Sequence, residues 1–134
     1  VHSGVSHFQD TGAFIISAGV DPKRIYDAVE TIMDQVREVR DGIPADELER
    51  AKQLVAGRLM LRMEDTRAVS SWMGSQEALM VDMMSVDEVV HQVNLVTPEE
   101  VQQVAGEILD TNRLNMAVVG PCRGRKRLEK LLRL

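Results

Sequence analysis

Aromatic residues are almost missing from this chain of 134 residues: one Trp, one Tyr and two Phe make up 3 % of it. Core volume must therefore come from aliphatic side chains and from eight Met. Cysteine is nearly absent too. A lone Cys122 excludes an internal disulfide, and it favours a reducing, cytoplasmic setting. No apolar run approaches the roughly 18 residues of a membrane helix. There is no excess of positive charge. The net charge of −5 excludes a chain that binds nucleic acid over its whole surface. The start, VHSGVSHF, has no basic segment of the signal-peptide kind. It opens directly in strand-like sequence, so we read the chain as a single partial domain, residues 1–134, of a longer protein. What is present is a 44 % hydrophobic content, enough to build a core at this length.

That content is patterned. Residues 1–8 alternate between two faces, and residues 13–19, AFIISAG, form a short apolar run of β-formers. Gln9-Asp10-Thr11-Gly12 between them is a turn signal, so the two runs make a hairpin. Asp21-Pro22 then opens a helix, with Asp21 as cap and Pro22 at the first position. Ile25, Ala28, Val29, Ile32, Met33, Val36 and Val39 recur along it at helical spacing, and Gly42 ends it.

A second helix is expected over 45–64. Asp46, Glu47 and Glu49 favour its N-terminus, and Leu48, Ala51, Val55, Leu59 and Met63 form a buried stripe that Leu54 and Leu61 widen. In this reading Leu59 packs against the hairpin face that carries Phe14 and Ile16. Glu64-Asp65-Thr66 interrupts the pattern before a third helix through Ala68, Val69, Trp72, Met73 and Ala78. Two capping boxes follow, Ser85-x-x-Glu88 and Thr97-x-x-Glu100, each opening a short helix; Asn112 closes the second. Leu114 to Gly120, LNMAVVG, reads as a strand stopped by Pro121, and a short helix with Leu128, Leu131 and Leu132 ends the chain. The order gives an α+β fold, a small mainly antiparallel sheet with helices packed on one face.

Residues able to do chemistry are few. His2 and His7 are five positions apart and face opposite sides of a regular strand, so they cannot share an ion without a bulge. His91 sits on a helix surface. The acid pairs Glu47/Glu49 and Glu99/Glu100 dress helix N-termini rather than form a general acid and base. Ser70-Ser71 has no His or Lys near it in sequence. Cys122 has flanking cations, Arg123 and Arg125, that favour a thiolate, yet a structural thiol is the preferred reading. The basic run Arg123–Arg127 lacks interleaved aromatics and reads as a solvated tail. Met80, Met83 and Met84 read as adaptable packing.

Six segments stand in one order: F-x-D-T-G-x-F-I-I (Phe8–Ile16), an Asp-Pro helix start, D-E-L-E-R-A-K (Asp46–Lys52), L-x-L-R-x-E-D-T (Leu59–Thr66), V-T-P-E-E-V (Val96–Val101) and A-V-V-G-P (Ala117–Pro121). This order resembles the pitrilysin (insulinase) family of zinc metallopeptidases, hydrolases that include processing peptidases. The resemblance implies paired α/β domains. One carries H-x-x-E-H and, on a later helix, a Glu that completes the zinc site; the other is inactive, encloses the chamber and contacts peptide. The chain has no H-x-x-E-H, and the helix matching the Glu-bearing one runs Ala51–Met63 without an acid.

The resemblance is thus to the C-terminal part of the inactive domain. It implies no catalytic or metal residue and no cofactor here, with zinc in the catalytic domain of the parent, and it leaves the substrate-binding residues unknown. The partners it implies are that catalytic domain, on the same or a partner chain, a peptide substrate and a second copy as a homo-oligomer; nucleic acid and membrane are not expected. Two alternatives remain open: a structural, non-proteolytic homologue like a respiratory-complex core subunit, and a regulatory or nucleic-acid-associated module.

Overall fold

Short-range signals set the element boundaries. The structure, a computed structural model, describes residues 1–79 and 82–134. Strands β1 (His2–His7) and β2 (Gly12–Ser17) pair antiparallel from His2↔Ser17 to His7↔Gly12. The Phe8 amide donates to the Thr11 carbonyl (2.9 Å) and closes the turn. A 3-10 turn at Pro22–Arg24 is capped by the Asp21 carboxylate, which accepts from the Lys23 amide, and it leads into α1 (Ile25–Asp41). Gly42 ends α1 at φ 128°, a backbone conformation that favours glycine. Helix α2 spans Ala45–Arg62, α3 Thr66–Ala78, α4 Val86–Leu95, α5 Pro98–Ile108 and α6 Arg125–Leu131. Both expected capping boxes form, with Ser85 and Glu88 satisfying each other's backbone amides on α4 and Thr97 and Glu100 doing so on α5. The elements are α+β, as expected.

The chain divides into two compact units. One holds residues 18–44 and 97–134, and here α1 packs against α5 and α6. Its core is Ile25, Met33 and Val36 from α1, Ala105 and Leu109 from the end of α5, and Leu128 from α6. Side chains reinforce the packing by bonding main-chain carbonyls. Gln102 donates to the Asp41 carbonyl at the end of α1 (2.9 Å). Tyr26 Oη donates to the Arg123 carbonyl (2.6 Å), and Arg37 donates to the Arg133 carbonyl (2.7 Å).

The other unit holds residues 2–17 and 45–96. Here α2 packs against α4, and Lys52 donates to the Asn94 carbonyl (2.9 Å) in the last turn of α4, where a cation also meets the negative end of the helix. The Gln76 amide on α3 clasps Met84 in both directions, accepting from its N–H (2.8 Å) and donating to its carbonyl (3.4 Å). Of the apolar residues in this unit only Leu48 is buried among the described residues.

Three expectations change. Residues 114–119 form no strand and pair with nothing among the described residues, so the described sheet has two strands rather than three. A strand needs a neighbour's backbone to be one, and propensity does not supply it. The stripe on α2 is not buried as a whole. Leu54 and Val55 are about half exposed, Leu61 is 69 % exposed, and Leu59 is half-buried rather than enclosed. Phe14, its expected neighbour, is 46 % exposed. Last, α5 ends at Ile108 rather than at Asn112. Asp110 accepts from the Asn112 amide (3.0 Å) and starts a separate 3-10 turn at Thr111–Arg113. Met80, grouped above with Met83 and Met84, lies outside the described residues.

Candidate functional site

A hydrolytic zinc centre needs about three protein ligands around an open position. The histidines are the natural starting point. His2 and His7 stand at opposite ends of β1. The His2 imidazole lies over Gly4, where a Cβ would be 3.7 Å from Nε2, and Gly4 and His7 alternate to opposite faces. His91 is exposed on α4, one turn after Asp87. These two line an open groove of about 340 Å³ with Met84, Glu88 and Gln92. Asp87 and His91 are two ligand-type groups, but Glu88 is already committed. Its carboxylate accepts from the Ser85 amide and hydroxyl, both at 2.7 Å, and these bonds hold its pKa below the usual carboxylate range. Among the described residues no three His, Cys, Asp or Glu side chains converge as a metal site.

The acid pairs sit at helix starts. Glu47 and Glu49 are exposed in the first turns of α2, and Glu49 accepts from Gln53 (3.3 Å). Beside them Arg50 bonds Asp46 (2.6 Å) and, by that bond and its charge, lowers the Asp46 carboxyl pKa. Glu100 closes its capping box, and Glu99 is exposed in the same turn. Ser70 and Ser71 are exposed on α3. Cys122 is half-buried, its thiol 3.7 Å from the Arg123 carbonyl oxygen. Sequence reasoning missed the setting of the basic run. Arg127 stacks its guanidinium 4.0 Å from the centre of the Tyr26 ring, and Arg125 pairs with Glu129 (2.7 Å). The lone Tyr of the chain was the available signal, but nothing local told that it would meet residues almost a hundred positions away.

What the geometry offers is therefore a scaffold with extended, exposed backbone. β1 and β2 each have one edge unpaired among the described residues, and residues 114–119 are unpaired as well. Residues 1–55 match the family model described as the peptidase M16 inactive domain. Over those residues the chain is similar to the pitrilysin family, on the inactive-domain side. Over 127 residues it is 32 % identical to an uncharacterized zinc protease of Streptomyces coelicolor, an alignment covering 94 % of this chain and 28 % of that protein. It is 31 % identical over 122 residues to an uncharacterized zinc protease of Bacillus subtilis, covering 90 % of this chain and 30 % of the relative. The alpha subunit of the mitochondrial-processing peptidase of Pongo abelii is 29 % identical over 102 residues, 76 % of this chain and 19 % of the subunit. The chain thus spans under a third of the length of these relatives. The zinc that the names of the two bacterial relatives imply does not fit the described residues, whose ligand types are dispersed or already bonded, and Ala51–Met63 of α2 holds no acid.

Proposed function

We propose that this chain serves the non-catalytic domain of a zinc-dependent peptidase, where it helps to enclose the chamber and to hold extended peptide. The match of residues 1–55 to the inactive domain carries the reading. Zinc, a bound water and its base would reside in the catalytic domain of the same or a partner chain, which is this domain's partner. The exposed edges of the hairpin support a peptide-holding role, because an extended peptide can add to an open edge through main-chain hydrogen bonds. The same edges, with Val5 and Phe8 exposed beside the turn, support self-association. The single Cys122 supports a cytoplasmic setting.

The test uses the full-length protein. A benzophenone amino acid placed at Phe14, and in a second variant at Val5, should crosslink to a peptide substrate, with zinc content and hydrolysis retained. Hydrolysis without crosslinking from either position overturns the peptide-holding role. A full-length protein with neither zinc nor hydrolysis is instead a non-proteolytic scaffold.

A further inference from the structure

Charge is unevenly spread along this chain. Residues 123–134, RGRKRLEKLLRL, hold six of its 16 Lys and Arg and one of its 21 Asp and Glu, so this segment carries +5 and the remainder −10. A run of that kind is ordinarily a loose, solvated tail whose cations must be ordered before they can bind anything. Here it is fixed at both ends. Tyr26 holds the Arg123 carbonyl and Arg37 holds the Arg133 carbonyl. Thr111 Oγ1 accepts from the Leu134 amide (3.0 Å). Between these ties Leu128 is buried to 3 % exposure against α1, and Leu131 and Leu132 are half-buried.

With the leucines turned inward, the helical period turns Lys126 and Lys130 outward as neighbours one turn apart. Arg123 and Arg133 flank them. None of these four has a carboxylate within ion-pair distance among the described residues, whereas Arg125 is paired with Glu129 and Arg127 is laid on Tyr26.

We propose that residues 123–134 form a preorganised cationic strap that docks an acidic protein segment, a run of Asp and Glu side chains. Preorganisation lowers the ordering cost that a flexible basic tail would incur on binding. Three kinds of polyanion could neutralise the strap, and the structure favours carboxylates. An anionic membrane would need apolar side chains beside the cations to enter it, and the leucines of α6 face α1 instead. Nucleic acid would need the neighbouring surface to be basic or to offer stacking rings. The rest of the chain carries −10, and Tyr26 is already covered by Arg127. Discrete carboxylates on a peptide reach the exposed ammonium groups singly and require neither.

The experiment is binding of fluorescein-labelled poly-glutamate to the full-length protein, read by anisotropy at about 50 mM salt, where exposed charges are weakly screened. Two charge-matched variants are compared. Lys126→Glu with Lys130→Glu alters the strap; Arg58→Glu with Arg62→Glu alters two exposed cations one turn apart on α2 by the same net charge. The strap variant should bind about tenfold more weakly, the sum expected of two exposed ion pairs turned repulsive, while the α2 variant changes little. Circular dichroism confirms that both variants stay helical. The proposal is overturned by absent binding, by equal weakening in the two variants, or by tighter binding of duplex DNA or of phosphatidylglycerol vesicles than of poly-glutamate.

Discussion

Gly124→Ala tests the joint between α1 and the C-terminal segment of this chain. Gly124 sits at φ 79°, ψ 43°, the left-handed region, immediately before α6. An added Cβ meets two obstacles. The backbone itself disfavours that conformation for an L residue by about 1–2 kcal/mol. The Cβ would also overlap the Tyr26 hydroxyl, with Cζ next at 3.6 Å. The ring cannot withdraw freely, because its hydroxyl is bonded to the Arg123 carbonyl and its face is covered by Arg127. Retreat forfeits a hydrogen bond of about 1 kcal/mol and an exposed cation–π contact of about 0.5–1 kcal/mol. The unfolded-state gain of replacing glycine, roughly 0.4–1 kcal/mol, works the other way. The expected net loss is about 2 kcal/mol, measured as a shift in the urea midpoint at unchanged slope. Tyr26→Phe removes the clashing oxygen and leaves the ring, so Gly124→Ala in that background should cost only about 1 kcal/mol, the backbone part. Equal costs in the two backgrounds refute the clash. A loss below about 0.5 kcal/mol in wild type refutes the left-handed assignment as well.

Leu128→Ala should destabilise by about 2–5 kcal/mol, the cost of a truncated core leucine, whereas Leu61→Ala, at 69 % exposure, should stay within about 0.5 kcal/mol in the same urea titration. Ser85→Ala should lower stability by about 1 kcal/mol by removing the hydroxyl that caps α4. The folded-state pKa of Glu88 is depressed, so its contribution is present above the unfolded value near 4.5 and is lost as pH falls through the lower folded value. Glu88→Gln should therefore flatten part of the acid-side loss of stability, and an unchanged pH profile counts against the box acting as a carboxylate site. After dialysis against a metal-free buffer the 134-residue chain should retain no stoichiometric zinc by elemental analysis, because no ligand-type side chains converge among the described residues. Retained zinc, with chelator-sensitive hydrolysis, contradicts this.

Much of the architecture was readable because its causes lie within a few residues. Capping boxes at Ser85 and Thr97, the Asp21 cap with Pro22, the Gly42 stop and the Gln9–Gly12 turn each act over two to four positions, and all of them form as the sequence indicates. The acid-free centre of α2 is likewise a property of sequence alone, and so is the lack of a metal-binding motif. Tertiary structure decided the rest. Leu114–Val119 has strand composition, yet pairing depends on an adjacent edge that composition cannot supply. The stripe on α2 has helical spacing, but burial depends on what lies opposite, and only Leu48 is enclosed. Tyr26 and Arg123 stand 97 positions apart and meet because α6 packs on α1. Hydrogen bonds along one turn are fixed by local order, whereas burial and long-range contacts are fixed by the partner surface, which no short window of sequence contains.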